Sequence, residues 1–307
     1  MKRERKRGRV EKKQVLKSVS ASGGCGGINM KILIFLACAA IMLTVLYFLM
    51  IMPRILGGPD MKAFRNWLYA HRGLHNAGAG IPENSLEAFR RAVEAGYGME
   101  LDVQVSKDGI PVVFHDFTLK RMCGGEGRIC DYTLEELRQF RLLDSEQRIP
   151  KLEDVLKLVD GRTPMIVELK IERADLRVCR EADRLLSEYK GLYCIESFNP
   201  LGLFWYRRNR RKVVRGQLSE AFLREKGNRG ILYFLLQNLL FNWLTKPDFI
   251  AYNCLHPDAA SRRLCRSLYG KTAVAWTLRS QMQLEEAGKN FDLYIFENFR
   301  PETKRLP

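Results

Sequence analysis

The sequence predicts a (β/α)8 barrel preceded by a single membrane-spanning helix. Short β-like runs alternate with helical patterns over about 240 residues, as in a parallel barrel. Polar residues follow several of these runs, where the strands would end, and one long uncharged segment lies near the amino terminus. An open doubly wound sheet is the alternative that the same alternation allows.

Length and charge set the coarse organisation. The 307 residues allow one large domain with an appendage, and 46% hydrophobic with 28% charged residues excludes a wholly disordered chain. Of the net charge of +16, much lies in residues 1–31, where ten basic side chains face only Glu4 and Glu11. Because zinc-finger spacings and aromatic–basic RNA motifs are absent from the sequence, we expect no nucleic-acid partner.

Residues 32–52 contain no charge, and Thr44 is their only polar residue. As a helix they would be about 31 Å long, close to the thickness of a bilayer core. A buried core helix and a cleaved signal peptide are the alternatives, but the run is long for a signal and no small-residue cleavage site follows it. The basic excess before it predicts a single-pass protein of the cell membrane with a cytoplasmic N-terminus and an extracytoplasmic catalytic domain.

The predicted organisation therefore has four parts. They are a basic cytoplasmic tail at 1–31, a transmembrane anchor at 32–52, a linker at 53–66 and a barrel domain at 67–304. Nine segments of the body have the composition of strands. They are Trp67–Ala70, Met99–Val105, Pro111–His115, Met165–Lys170, Tyr193–Ser197, Val213–Leu218, Phe249–Tyr252, Ala273–Thr277 and Leu293–Phe296. The nine candidate strands exceed by one the eight that a barrel needs. Only Ser106–Ile110 joins the second candidate strand to the third, and this segment is too short for a crossover helix.

Helical patterns lie between most of these strands. Asn84–Glu87 and Thr133–Glu136 look like capping boxes, the first opening a helix over 85–95. Leu152–Val159 and Ala174–Tyr189 carry apolar residues at helical spacing.

The segment Gly230–Leu244 is apolar but too short and too polar to span a bilayer. It is either a barrel helix with a wide buried face or an interfacial helix. In the second case it would turn the barrel mouth toward phospholipid, with the basic residues of segment 207–212 against the headgroups.

The cysteines leave the redox compartment open. Cys123 and Cys130 share a glycine-rich loop and could close a short disulfide in an oxidising space. Cys179 and Cys194 look instead like buried residues of a helix and a strand, since free cysteine is often simply buried.

Charged residues lie at the ends of the predicted strands. Glu100 and Asp102 are two apart in the second strand and share a face, as do Glu168 and Lys170 in the fourth. Buried ionisable groups are costly unless they are paired or bound to metal. Three carboxylates at one rim therefore predict a site for Mg²⁺ or Ca²⁺.

Two histidines follow predicted strands at the same end, His71 after the first and His115 after the third. An imidazole pair can act as acid and base near neutral pH, while Arg72 and Lys170 can hold an anion. With a divalent cation, this set suits phosphodiester cleavage. Nucleotide-dependent transfer is disfavoured because the sequence has no P-loop or kinase loop, and His75 and His256 are read as structural.

A series of motifs runs in order through residues 69 to 301. They are Ala70–Gly73, Pro82–Phe89, Glu100–Gly109, Pro111–Asp116, Ile149–Leu156, Val167–Lys170, Ser197–Phe198 and Ala275–Thr277. This ordered set closely resembles the glycerophosphodiester phosphodiesterase family. One departure is Glu297–Asn298, where family members often have Thr-Asp.

The resemblance implies a TIM-barrel enzyme that hydrolyses glycerophosphodiesters to sn-glycerol 3-phosphate and an alcohol. By that resemblance the acid/base catalysts are His71 and His115, and the metal ligands are Glu100, Asp102 and Glu168. Arg72 would contact the phosphate, and Glu83 and Lys170 would line the site. Trp276 is either a wall of the substrate pocket or a core residue. The family route implies attack by the substrate's own glycerol hydroxyl, with water then opening a cyclic phosphate.

Two alternatives to this function stay open. One is lysophospholipase D-like cleavage of lysophospholipids held in the membrane, and the other is a catalytically inactive, membrane-anchored binding protein, because a fold does not fix a function. Headgroup preference, the choice between Ca²⁺ and Mg²⁺ and the oligomeric state are also open at the level of sequence.

Overall fold

The computed structural model describes residues 30–225 and 228–303. The chain divides into two compact units, residues 1–47 and 48–307. Most of the predicted basic tail at 1–31 lies outside the described residues, as does residue 304 at the end of the predicted barrel domain.

Helix α1 (Met30–Ile51) coincides with the predicted anchor. Among the described residues it is the one helix long and apolar enough to cross a membrane, a property that spans and signal sequences share. Its large apolar side chains, such as Phe35 and Ile41, are exposed. From Phe48 onward the helix belongs to the second unit, where Ile51 is fully buried.

The second unit contains a closed barrel of parallel strands. The described strands are β1 (Leu68–Ala70), β2 (Gly98–Val105), β3 (Pro111–Val113), β4 (Met165–Leu169), β5 (Tyr193–Ser197), β6 (Arg215–Ser219), β7 (Phe249–Asn253), β8 (Thr272–Leu278) and β9 (Leu293–Phe296). Eight of them pair in parallel around the ring, and the pairing of β1 with both β2 and β9 closes it. The predicted (β/α)8 barrel is confirmed, and an open sheet is excluded.

Strand β3 stands outside the ring, because it pairs antiparallel with the last residues of β2. The turn between β2 and β3 is too short for a crossover, so the chain can only fold back as a hairpin. This explains the ninth candidate strand. The expectation that His115 follows a parallel strand is wrong: the hairpin carries the chain back, and Phe114 N donates to Asp102 O at 2.9 Å.

Helices connect the strands, and the longer ones cover the outside of the ring. In the second unit they are α2 (Lys62–Arg65), α3 (Leu86–Ala95), α4 (Lys120–Cys123), α5 (Leu134–Leu137), α6 (Leu152–Val159), α7 (Arg177–Leu186), α8 (Pro200–Asn209), α9 (Phe222–Glu225), α10 (Ile231–Gln237), α11 (Asn242–Thr245), α12 (Ala260–Ser267) and α13 (Gln281–Ala287). Ser85 caps α3 by accepting from Ala88 N, and Thr133 and Glu136 form the predicted capping box of α5.

Alternation along the strands decides what lies inside the barrel. Leu101 and Val103 of β2 point outward to the helices, whereas Glu100 and Asp102 point inward. At the amino end of the barrel, Met61 and Phe64 join the apolar cluster of the interior. The segment 53–66, predicted as a linker, thus buries Met61 and Phe64 at the amino end of the barrel, while its Ile55 and Leu56 side chains are exposed.

The apolar segment Gly230–Leu244 forms two helices rather than one. Helix α10 lies at the carboxyl ends of the strands, where Ser219 Oγ donates to Leu236 O and Tyr252 Oη to Gln237 O. Helix α11 lies at the amino ends, where Asn242 donates to Ile51 O. The basic segment 207–212 begins in the last turn of α8 and reaches the amino ends, so it does not lie beside α10 as the interfacial hypothesis supposed.

The cysteines Cys123 and Cys130 are free thiols. Cys123 packs against a small apolar cluster below the β2–β3 hairpin, and burial raises the pKa of its thiol to about 11. The structure therefore supports separate thiols in this loop and not the disulfide that the sequence allowed.

Candidate active site

Three carboxylates meet inside the barrel at the carboxyl ends of neighbouring strands. Glu100 and Asp102 come from β2 and Glu168 from β4, where the register places Glu168 beside Asp102. All three side chains are buried, and one oxygen of each lies within 4.8 Å of the others. The predicted acidic cluster is thus assembled by the strand register.

The three carboxyl groups differ in electrostatic environment. Burial, followed by the charges of Asp102 and Glu168, raises the pKa of Glu100 well above its usual value. Burial also raises the pKa of Glu168. Burial opposes ionisation of Asp102 as well, but the Lys170, His115 and Arg72 side chains outweigh it and hold its pKa well below the usual value.

Two cations lie against this cluster. Lys170 Nζ is 2.8 Å from Glu168 Oε1 and 3.1 Å from Asp102 Oδ1. Arg72 donates from its backbone N to Glu100 Oε2 at 3.0 Å, and its side chain pairs with Glu83 at 2.8 Å and with Asp102 at 3.3 Å. Both cations are therefore oriented by carboxylates before any ligand binds.

The backbone around Arg72 is unusual. Arg72 has φ 54° and Gly73 has φ 81°, both in the left-handed region that favours glycine. A Cβ on Gly73 would lie 2.9 Å from the carbonyl carbon of Ala88 in α3. This tight turn lets the backbone N–H of Arg72 point into the barrel.

His71 follows β1, and its partner is a residue that sequence reasoning did not assign. Because β1 pairs with β9, with Ala70 opposite Phe296, His71 comes to lie beside Glu297. Their Nδ1 and Oε2 atoms are 2.6 Å apart, and His71 Nε2 is 3.9 Å from Glu100 Oε2. Burial, then Arg72, lower the pKa of His71 to about 4 despite Glu297.

A chain of ion pairs orients His115. Its Nδ1 lies 2.6 Å from Asp116 Oδ1, and Asp116 accepts from Arg121, which in turn donates to Glu83. Burial opposes ionisation of Asp116, but its bonds to His115 and Arg121 hold its pKa below the usual value. The sequence left Asp116 unassigned and did not single out Arg121, and the structure places both behind the imidazole.

Glu196 is a fourth buried carboxyl at this rim. It is 1% exposed and lies on β5 in register with Glu168. Burial, followed by the charges of Glu168 and Asp102, raises its pKa well above the usual value. Sequence reasoning missed it, although its place two residues after buried Cys194 marks it as inward-facing.

Aromatic rings and cavities surround these groups. Trp276 points inward from β8 and contacts Phe198 edge-to-face, with ring centroids 5.6 Å apart. Among the described residues, Nε1 of Trp276 has no hydrogen-bond partner. A cavity of about 300 Å³ opens beside Lys170, lined by Arg128, Asp131 and Glu172 among others.

The acidic cluster fits a hard divalent cation. Its donors are buried carboxylate oxygens, the ligands that Mg²⁺ and Ca²⁺ prefer. The raised pKa values of Glu100 and Glu168 mean that ionising these two carboxyl groups is unfavourable, and a cation among the oxygens would lower that cost. Glu100, Asp102 and Glu168 could therefore hold a metal ion.

Sequence and structure comparisons identify known proteins that this chain resembles. The sequence model of the glycerophosphoryl diester phosphodiesterase family matches residues 71–285, which contain all the site residues except Glu297. The chain belongs to this family. Glycerophosphodiester phosphodiesterase 1 of Homo sapiens is 33% identical over 242 residues, covering 69% of this chain and 71% of that protein.

Other members of the glycerophosphoryl diester phosphodiesterase family match over shorter stretches or by fold. A glycerophosphodiester phosphodiesterase of Caldanaerobacter subterraneus is 42% identical over 110 residues, or 34% of this chain and 44% of that protein. The chain spans about half the length of several curated relatives that it matches. The fold resembles an Oleispira antarctica phosphodiesterase solved with its product sn-glycerol-3-phosphate, with 22% identity, a TM-score of 0.61, and coverage of 75% of this chain and 92% of that one.

Proposed function

We propose that this protein hydrolyses glycerophosphodiesters to sn-glycerol 3-phosphate and an alcohol, using a divalent cation and two histidines. The observation that carries the proposal is the convergence of three carboxylates, two imidazoles and two cationic side chains at one rim. Membership of the family and the names of its relatives support the same substrate class.

The substrate phosphate would bind between Arg72 and Lys170. A divalent cation held by Glu100, Asp102 and Glu168 would neutralise phosphate charge as it develops during the reaction. Glu83 fixes the Arg72 guanidinium by its 2.8 Å bond, so that the fork is oriented before binding. Trp276 would form a wall of the glycerol pocket.

His71 is suited to act as the general base. With a pKa of about 4 it is neutral at pH 7. Its Nδ1–H donates a hydrogen bond to Glu297, so the lone pair of Nε2 is free to accept a proton. Nε2 takes the proton from the glycerol hydroxyl as that oxygen attacks phosphorus. The bond from phosphorus to the alcohol oxygen breaks, and His115 gives that oxygen a proton. Water then opens the cyclic phosphate, with the proton roles of the two imidazoles reversed.

The test is release of glycerol 3-phosphate from glycerophosphocholine by the full chain in neutral detergent. We expect activity with Mg²⁺ or Ca²⁺, loss on chelation, and a fall of at least about 100-fold in His71→Ala, the usual scale for removing an acid–base group. His256→Gln, outside the site, serves as the matched control. Equal activity in His71→Ala and His256→Gln would overturn the catalytic assignment.

Lysophospholipase D-like cleavage is a second candidate, and one observation favours it. Helix α10 presents Ile231, Leu232 and Phe234 to solvent, each at least 46% exposed, at the carboxyl end of the barrel. An apolar face beside the mouth could contact an acyl chain. Comparing turnover of lysophosphatidylcholine and glycerophosphocholine in wild type and Phe234→Ser separates the two substrates: only the lipid reaction should weaken.

We also propose that α1 is a retained membrane anchor with a cytoplasmic amino terminus and an extracytoplasmic barrel. The basic residues before the helix support this orientation. Protease treatment of intact cells or spheroplasts tests it, because digestion of the barrel from the outside is expected. Recovery of the barrel as a soluble, secreted fragment lacking α1 would instead identify a signal sequence.

A further inference from the structure

A second cavity, of about 940 Å³, lies at the amino end of the barrel. It is lined by the chain that leaves α1, residues 52–59, and by six cationic side chains. These are Arg54, Arg207, Arg211, Lys212, Arg215 and Lys246. None of the described residues that line it is acidic. Because α8 runs from the rim to the amino end, the cavity is at the opposite end of the barrel from the carboxylate cluster.

The cations around this cavity are held in place. Arg54 donates to Arg211 O at 2.9 Å and pairs with Asp248 at 3.3 Å. Arg207 donates to the carbonyl oxygens of Trp243 and Leu244, and Lys246 Nζ to Met52 O at 3.1 Å. Apart from the pair of Arg54 with Asp248, neutral carbonyls orient these groups without cancelling their charge, so the cavity stays net positive.

Arg215 is the deepest of the six and lacks a counter-ion for its full guanidinium. It is 2% exposed, and its Nη1 has no hydrogen-bond partner among the described residues. Burial, opposed by Asp248 and reinforced by Arg54, Arg207 and Arg211, lowers the pKa of Arg215 to about 10. A buried guanidinium with an unpartnered Nη1 beside three other cations is costly even with Asp248 nearby, and an anion in the cavity would lower that cost.

The position in the chain indicates where that anion comes from. Met52 and Pro53, which line the cavity, directly follow the last residue of the apolar helix α1. Ile55 and Leu56 beside them are exposed, as is half of the Trp243 side chain. Apolar and tryptophan side chains next to cations are typical of the headgroup region of a bilayer.

We propose that this cavity binds the phosphate headgroup of an anionic phospholipid. The inference depends on the proposed membrane anchor but not on the proposed catalysis, because the two sites lie at opposite ends of the barrel. Arg215 and Arg207 would contact the phosphate, with Arg211 and Lys212 at the open side. The bound lipid would hold the amino end of the barrel against the membrane.

The test uses the full chain in neutral detergent, with thermal unfolding followed as phosphatidylglycerol, phosphatidylcholine or inorganic phosphate is added. Phosphatidylglycerol should raise the Tm in a saturable way, and phosphatidylcholine and phosphate should not. In Arg211→Gln with Lys212→Gln, half-saturation should need about 30-fold more phosphatidylglycerol, from two lost cations at the lipid surface. Lys190→Gln with Arg208→Gln removes two exposed cations outside the cavity and should bind within threefold of wild type.

Three outcomes would overturn the inference. They are an equal response to both lipids, equal weakening by the two double variants, and equal stabilisation by inorganic phosphate alone, which would assign a free anion instead of a lipid. Turnover of glycerophosphocholine should be unchanged in Arg211→Gln with Lys212→Gln. A chain that binds phosphatidylglycerol but releases no glycerol 3-phosphate would refute the proposed catalysis and leave the lipid site standing.

Discussion

Replacing Glu297 by glutamine should change both the rate and the pH dependence of the proposed reaction. Glu297 accepts from His71 Nδ1 at 2.6 Å, and its other oxygen pairs with Arg279 at 2.6 Å. The bond to His71 and the Arg279 charge outweigh burial and lower the pKa of Glu297 to about 2, so it is ionised at every working pH. The variant keeps the shape and removes the charge.

The magnitude follows from what the carboxylate does for His71. An ionic hydrogen bond is worth roughly 1–2 kcal/mol more than a neutral one, equivalent to about one pH unit. The pKa of His71 is about 4 because burial lowers it more than Glu297 raises it. Removing the charge of Glu297 should therefore lower the pKa of His71 further. Since the base must be neutral, the acidic limb of kcat/KM should lie near pH 4 in wild type and about one pH unit lower in Glu297→Gln.

The rate should fall as well. A glutamine amide can donate a hydrogen bond to His71 Nδ1, which places the imidazole proton on Nε2. In that tautomer Nε2 cannot accept the proton of the glycerol hydroxyl. Loss of such control over a histidine costs roughly 10²-fold to 10⁴-fold in other enzymes. Glu297→Asp, which keeps the charge, should return the acidic limb toward its wild-type position even if the rate recovers only in part.

The assay is kcat/KM for glycerophosphocholine between pH 2.5 and 8, with Glu286→Gln on the exposed face of α13 as the matched control. A purely structural role for Glu297 would lower the rate and leave the limb in place. If Glu297→Gln stays within threefold of wild type and its limb does not move, Glu297 does not position His71.

Three further predictions concern the metal site, the core and the cysteines. Mg²⁺ or Ca²⁺ should raise the Tm of the wild-type chain. The rise should disappear in Glu168→Gln, because this variant keeps the side-chain volume but removes a charged ligand. A rise of equal size in the variant would contradict the metal site. Leu101→Ala, fully buried between β2 and the helices, should lower the free energy of unfolding by about 2–5 kcal/mol in urea titrations, and a loss below 1 kcal/mol would argue against this packing. Thiol titration in denaturant should give the same count with and without prior reduction, since Cys123 and Cys130 are free; two additional thiols after reduction would indicate a disulfide.

Most of the barrel could be predicted from the sequence because most of the strands are short, largely apolar runs. Tyr193–Ser197 and Leu293–Phe296 have the predicted bounds, as does helix Leu152–Val159. The direction of β3 was predicted less well, because composition marks a strand but not its partner. The role of segment 53–66 was missed for a similar reason: Met61 and Phe64 are too few to reveal a buried face.

The candidate site was predictable where neighbours in the sequence are neighbours in space. Glu100 and Asp102 share a face by simple alternation, and so do Glu168 and Lys170. The contact between His71 and Glu297 was not predictable, because it depends on the register of the first and last strands of the ring. The cationic cavity was missed likewise, since its six side chains come from segments that are up to about 190 residues apart and meet only when the barrel closes.

The hairpin that carries His115 has an evolutionary consequence. Strand β3 is not part of the closed ring, so a longer or shorter turn at Ser106–Ile110 leaves the pairing of the eight ring strands intact. His71, in contrast, is fixed by the strands that close the ring. Natural selection can therefore alter this turn without disturbing the ring strands or the position of His71.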